Sequence, residues 1–179
     1  KTWLMNEFGR KYFEKVLYVR FDRNEQMRQL FERSSYDMNE MLLLLQAAAR
    51  FKIEPGKTLI ILDEIQECPA ALTSLKYFCE DFRSLHVVAA GSLLGISLRS
   101  DESFPVGKVN MMKMFPMTFN EFLLANGRNK LVELLNSHDW EAMSSMNEIL
   151  TEYLRQYYFV GGMPEAVLKY VETKDVRQV

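Results

Sequence analysis

Four consecutive apolar residues, Leu59-Ile60-Ile61-Leu62, run directly into two adjacent carboxylates, Asp63-Glu64. Pro55-Gly56 ahead of the run is a turn signal, and an uninterrupted apolar stretch, rather than an alternating one, reads as a strand buried on both faces. Strands of that kind belong to parallel sheets covered by helices on either side. Successive side chains of a strand point to opposite faces, so Asp63 and Glu64 share one end of the strand and are free to perform different tasks. The plain alternative is a carboxylate pair that closes the strand and caps the helix after it.

The rest of the chain supplies the helices and strands that such a sheet needs. Leu4, Phe8 and Tyr12 recur at helical spacing, which predicts an amphipathic helix over residues 1–13 that buries this face. A short strand follows at 16–21, then polar helix or loop at 24–33. Asp37 or Asn39 is placed to cap a helix over 38–51. Pro69 suits the first turn of a helix reaching about residue 83. Residues 86–92 and 109–115 read as two further strands. Alternation of this kind predicts an α/β fold, a parallel sheet flanked by helices. From Thr118 the pattern is helical only. Thr118-Phe119-Asn120-Glu121 has capping-box spacing for a helix over 120–126 with Gly127 as its stop. Further helices are expected at 129–136, 141–158 and 164–173. The change in pattern sets a boundary between 1–117 and a small helical region, 118–179.

Composition excludes several classes. With 179 residues, the chain is long enough to bury about 70 % of its unfolded surface. A net charge of −2 gives no global attraction to nucleic acid or anionic membrane. The two cysteines, Cys68 and Cys79, have no metal-ligand spacing with His86 or His138. A disulfide-free, cytoplasmic protein is the default. The longest apolar run, 41–49, contains Gln46 and is too short to span a bilayer.

Ligands of open α/β sheets bind at the C-terminal ends of the strands, and three features point there. Lys1-Thr2 stands at the head of the first helix, where backbone N–H groups and the positive end of the helix dipole favour phosphate. In P-loop ATPases a carboxylate such as Asp63 holds hydrated magnesium, which needs few protein oxygens beside those of the phosphates, while the next carboxylate polarises the attacking water. Ser92, after Ala89-Ala90-Gly91, either senses a terminal phosphate and positions water, or caps a helix over 93–98.

These residues, taken in order with Phe115-Pro116-Met117-Thr118-Phe119-Asn120-Glu121-Phe122-Leu123 and Gly161-Gly162-Met163-Pro164-Glu165-Ala166-Val167, resemble the AAA-type ATPase family of bacteria and archaea whose members carry a helical lid and a C-terminal domain of unknown function. The resemblance implies ATP and Mg2+ as ligands and an ASCE P-loop core over 1–117. It implies Lys1 as the phosphate-binding lysine, Thr2 as the magnesium-ligating hydroxyl, Asp63 as the second magnesium-site residue, Glu64 as the catalytic base and Ser92 as the polar sensor. It also implies that the family's first strand and glycine-rich phosphate loop are not in this sequence. That strand is expected at the centre of the sheet, between the strands at 86–92 and 109–115. Gly107-Lys108 stands where members tend to carry Gly-Arg, and no arginine finger is assigned.

Three functional classes follow: a magnesium-dependent ATPase driving a conformational or assembly change, a nucleotide-controlled switch or scaffold with little turnover, and a DNA-associated ATPase. For the last the sequence offers scattered lysines and no basic stripe. A homo-oligomer or a protein partner bound through the lid is expected, and no membrane association. Gly161-Gly162 reads as a tight turn between packed helices or, alternatively, as a joint that lets the lid move.

Overall fold

The computed structural model describes residues 1–34, 37–91 and 107–179. They form two compact units, Lys1–Met112 and Lys113–Val179.

Unit 1 is built on a parallel sheet of β1 (Lys15–Arg20), β2 (Thr58–Asp63) and β3 (His86–Ala90), in the order β1-β2-β3. Every residue of β2 is buried, as its unbroken apolar run requires. Full burial of Ile60, Ile61 or Leu62 is worth about 1.5–3 kcal/mol each. The register pairs Leu17 with Ile60, Val19 with Leu62, Tyr18 with Ile61 and Arg20 with Asp63, and Asp63 with Ala90 on the other side. Alternation then sorts the residues by face. Leu17, Val19, Ile60 and Leu62 join Phe21, Phe31, Met41, Leu45, Ile65 and Phe78 in the main core. That core is closed by α2 (Glu25–Arg33), α3 (Met38–Ala49) and α4 (Pro69–Asp81).

Local chemistry sets these helices. The Asn24 side chain accepts from the Met27 N–H to start α2, and the Asp37 side chain accepts from Asn39 and Glu40 to start α3. Gln46 accepts from the Ile53 N–H at 3.0 Å, which accounts for the one polar residue in the apolar run. Pro69 occupies the first turn of α4.

The opposite face of the sheet carries Val16, Tyr18, Leu59, Ile61 and Asp63, and α1 (Thr2–Tyr12) lies over it. Here the structure corrects the expected burial. Leu4, Phe8 and Tyr12 are exposed, and the inward stripe is Thr2, Met5, Asn6 and Gly9. The reason is steric. A Cβ on Gly9 would lie 2.6 Å from Val16 Cγ2 and 3.3 Å from Leu59 Cδ2, so the bare glycine lets the helix backbone settle on the sheet. A stripe of larger side chains would have held it off.

Residues 109–115 form no strand. Met111, Met112, Met114 and Phe115 are exposed. A strand is held by its ladder as well as by propensity, and no described strand pairs with this segment. Among the described residues β3 is paired on one edge alone, to β2.

Unit 2 contains α5 (Phe119–Ala125), α6 (Asn129–Ser137), α7 (Trp140–Ser145), α8 (Asn147–Val160) and α9 (Pro164–Thr173). The expected capping box is present. Thr118 Oγ1 accepts from the Glu121 N–H, and the Glu121 carboxylate accepts from the Thr118 N–H at 2.7 Å. The donating Thr118 N–H, followed by the Thr118 hydroxyl at 3.0 Å, holds the Glu121 carboxyl below the usual glutamate range. The single helix expected over 141–158 is two, divided at Met146, whose N–H closes the preceding turn on Met143. Ser144 and Ser145 end α7, and serine hydroxyls compete for backbone acceptors as Ser145 does on the Ala142 carbonyl. The small core gathers Phe122, Val160, Val167 and Tyr170, with Tyr157 and Tyr170 rings 5.5 and 5.9 Å from Phe122. Gly161-Gly162 turns the chain between α8 and α9, and the Gly162 carbonyl accepts from the Met117 N–H at 2.7 Å.

Candidate functional site

The close seat of α1 at Gly9 determines what happens at its other end. From Gly9 back to Thr2 is about 10 Å of helix, and from Leu59 on to Asp63 is about 13 Å of strand. The helix therefore runs back along β2, and its first residue reaches the strand's last. Thr2 Oγ1 donates to Asp63 Oδ2 at 2.7 Å. Asp63 is 1 % exposed. Burial of an ionised carboxylate is tolerated only with donors, and two more are present: Tyr18 Oη donates to the same Oδ2 at 2.8 Å, and the Glu64 N–H donates to Oδ1 at 3.1 Å.

Glu64 leaves the sheet in a different direction. Its backbone is in the left-handed region, φ 53° and ψ 45°, at the N-cap of the short 3-10 turn Ile65–Glu67. Among the described residues the other non-glycine positions with positive φ, Arg50, His138 and Lys174, each end a helix, where that conformation is common. At Glu64 it re-aims the carboxylate instead. Lys1 Nζ sits 3.2 Å from Glu64 Oε1, and Gln66 Nε2 donates to Oε2 at 2.8 Å. The Oε1 of Gln66 is buried without a hydrogen-bond partner.

Four of the five residues singled out in the sequence thus converge at the C-terminal edge of the sheet, as two pairs: Thr2 with Asp63, and Lys1 with Glu64. The fifth, Ser92, lies outside the described residues. Tyr18 and Gln66 were missed. Gln66 follows Glu64 by two positions, and that spacing was a usable signal. For Tyr18 the strand alternation with Val16 and Arg20 gave its face, but the register that brings it to Asp63 is a tertiary fact. Burial, followed by the bond to Asp63 and that group's charge, pushes the Tyr18 hydroxyl up to about 12. Beyond Asp63 the β1 end carries Arg20, tied by two hydrogen bonds to Asp22 at 2.6 and 2.8 Å. The Asp22 carboxyl is held below its ordinary range by that guanidinium.

The donor set fits one kind of metal. It offers a hydroxyl and a carboxylate, both hard oxygen donors, and among the described residues no cluster of three or more His, Cys, Asp or Glu is placed to hold an ion. Magnesium is commonly held by one or two protein oxygens plus water and phosphate. A cleft of about 490 Å³ between α4, β3 and residues 108–112 is lined by Leu72, Phe78, Val87 and Met111 among others, and includes none of Lys1, Thr2, Asp63 and Glu64.

A family model described as AAA domain matches residues 1–123 of the chain. No curated protein and no solved structure matches it. Among the described residues no helix is long and apolar enough to cross a membrane.

Proposed function

The chain belongs to the AAA domain family, and on that basis we propose that it is the core of a magnesium-dependent ATPase. Membership carries ATP binding and ATPase-type function in general. The observation that supports the finer reading is the pairing of Thr2 with Asp63 at 2.7 Å and of Lys1 with Glu64 at 3.2 Å, at the head of α1 and the end of β2.

In this reading the N-terminal turn of α1 presents its N–H groups to the phosphates. Lys1 neutralises charge on the outer phosphate oxygens. Thr2 and Asp63 hold magnesium, which when bound offsets the charge that builds on the transferred phosphoryl group. Glu64 orients a water and accepts its proton. As the structure stands, Glu64 has both oxygens engaged, by Lys1 and by Gln66. Phosphate competes for Lys1, and its departure from Glu64 frees Oε1 for water, so nucleotide itself readies the base. The left-handed backbone at Glu64 fits this role, since strain of about 1–3 kcal/mol is tolerated chiefly where function requires it.

The edge of β3 that is unpaired among the described residues supports a further part of the reading, a strand paired there that carries the family's glycine-rich turn. Unpaired sheet edges are normally covered. Residues 118–179 are read as a lid-like helical region, with a protein partner or a second copy as its client, and the protein as cytoplasmic.

The test is magnesium-dependent ATP binding and hydrolysis by a chain extended about 30 residues upstream of Lys1, a length sufficient for a strand and a phosphate loop, beside its Glu64→Gln variant. We expect binding retained and turnover reduced about 10²- to 10⁴-fold, the usual loss for a general base. Equal loss of binding and turnover in the variant would contradict the role of Glu64. No binding by the extended wild type would remove the ATPase reading, and slow turnover with nucleotide-dependent oligomerisation would favour a switch.

A further inference from the structure

We propose that Tyr18 is a positioning residue for the metal site, holding the Asp63 carboxylate in the one orientation that leaves a single acceptor position open. The proposal rests on the reading of Asp63 as a magnesium-site residue. A carboxylate offers about four lone-pair positions. Oδ2 has two donors, Thr2 Oγ1 at 2.7 Å and Tyr18 Oη at 2.8 Å. Oδ1 has the Glu64 N–H at 3.1 Å. Among the described residues three positions are filled, and the one that remains is on Oδ1.

The donors are of different kinds, and that decides what Tyr18 does. The Glu64 N–H is backbone from the adjacent residue and fixes Oδ1 only loosely. Thr2 is itself a candidate ligand, so it cannot serve as the fixed reference for its own partner. Tyr18 is rooted in β1, which is locked to β2 by a ladder running from Lys15 and Thr58 to Arg20 and Asp63. Among the described residues it is therefore the one side-chain donor to Asp63 that stands on the sheet and outside the ligand set. By occupying the second position on Oδ2 it bars the carboxylate from turning that oxygen away from Thr2. The Thr2 proton is then committed to Oδ2, and the lone pairs of Thr2 Oγ1 stay available.

Core filling does not account for this tyrosine. Its neighbours Leu17 and Val19 face the main core, while Tyr18 is 36 % exposed on the other face. Its hydroxyl has a specific acceptor in Asp63, and a phenylalanine there would leave the exposed ring in place without it.

The experiment compares wild type and Tyr18→Phe in the full-length protein. Affinity for a fluorescent ATP analogue is measured in EDTA, and Mn2+ affinity of the nucleotide-loaded protein is read by electron paramagnetic resonance, with Mg2+ as competitor. We expect the EDTA affinity to stay within about twofold, since Tyr18 touches no phosphate-binding group. Metal affinity is expected to fall roughly tenfold, the lower end of what loss of an outer hydrogen-bond partner costs a metal site. Turnover at saturating Mg2+ is expected to recover toward wild type. Unchanged metal affinity, with or without a lower unfolding temperature, overturns the proposal and leaves Tyr18 a structural residue. Loss of nucleotide binding in EDTA also overturns it, because the hydroxyl would then serve the nucleotide or the fold. A wild type that binds nucleotide without metal dependence, or not at all, overturns the ATPase reading first and this inference with it. Thr2→Val, measured alongside, gives the loss expected when a ligand is removed.

Discussion

Thr2 Oγ1 and Asp63 Oδ2 are 2.7 Å apart across 61 residues of sequence, so one hydrogen bond ties the start of the first helix to the end of the central strand. Its acceptor is a buried carboxylate. Thr2→Val keeps the shape of the side chain and removes the donor. Tyr18 and Glu64 continue to serve Asp63, so no group is left wholly unpaired, and the stability cost is expected at about 1 kcal/mol. Urea unfolding without nucleotide checks this. The functional loss is expected to be larger, with magnesium-dependent ATP affinity down more than tenfold while binding in EDTA changes little. A variant that lost stability and metal dependence in strict proportion would argue that the hydroxyl acts through the fold alone.

The seat of α1 gives a second prediction. Replacing glycine by alanine in a helix interior ordinarily gains about 1 kcal/mol, but at Gly9 the new methyl would meet Val16 Cγ2 at 2.6 Å. Val16 is β-branched and has few rotamers with which to retreat. Overpacking of this kind costs about 1–3 kcal/mol, so Gly9→Ala is expected to destabilise the protein by about 1 kcal/mol net. In a double-mutant cycle with Val16→Ala the coupling should be favourable, because the smaller residue opens the space that the methyl needs. A stabilised Gly9→Ala would mean that α1 does not rest where the structure places it.

Glu64 is expected to be a site where activity and stability disagree. Its φ of 53° suits glycine and disfavours an ordinary side chain by about 1–2 kcal/mol. Glu64→Gly should therefore be more stable than Glu64→Ala by about 1 kcal/mol, with turnover abolished in both. The ion pair to Lys1 is lost in both variants and cancels in the comparison. Thermal unfolding of the two proteins side by side measures the backbone effect alone, and equal stabilities would show that the turn relaxes when the carboxylate is removed.

Tyr18 supplies a pH dependence. Its hydroxyl is raised to about 12 by burial and by Asp63, against about 10 in an unfolded chain. The folded state therefore holds the proton more tightly than the unfolded one. The stabilisation is fully present below pH 10 and is lost as pH rises through 12. Tyrosinate absorbance should show one residue ionising late, and Tyr18→Phe should remove that late step along with part of the decline in stability above pH 10. The same late step surviving in the variant would assign it to another tyrosine, such as Tyr170, which burial also raises.

The fold was legible wherever the determinant is local. The unbroken apolar run of β2, Asp37 as one of the two candidate caps of α3, Pro69 at the start of α4 and the Thr118–Glu121 box all act within a few residues, and each lies in the structure as the sequence implies. The departures arise where tertiary packing decides. Leu4, Phe8 and Tyr12 have perfect helical spacing, yet the close approach that Gly9 permits turns a different stripe toward the sheet. Residues 109–115 have strand composition and no ladder to join among the described residues. The site divides in the same manner: Asp63 and Glu64 were visible as a carboxylate pair on a buried strand, whereas Tyr18 reaches Asp63 through the β1–β2 register, which no local pattern encodes.

The two glycines between α8 and α9 are required for different reasons, and exchange kinetics can separate them. Gly161 has φ 75° and ψ −172°, a region essentially closed to other residues, so Gly161→Ala should cost about 1–3 kcal/mol through backbone strain. Nothing surrounds its Cβ position, and the neighbouring contacts need not change. At Gly162 the limit is space. A Cβ there would lie 2.3 Å from the Met117 carbonyl oxygen and 2.9 Å from its nitrogen, both backbone atoms that cannot swing aside. The Gly162–Met117 bond would have to break, and the bond from Tyr157 Oη to the Met117 carbonyl, 2.7 Å, would be strained with it. Gly162→Ala should therefore cost about 2–4 kcal/mol, the sum of overpacking and a lost hydrogen bond. Hydrogen exchange at the Met117 amide is the discriminating measurement. Protection there should fall sharply in Gly162→Ala beyond the global loss, and in Gly161→Ala only in step with it. Equal behaviour in the two variants would show that the turn yields as one unit and that the contact with Met117 is not what Gly162 is there to permit.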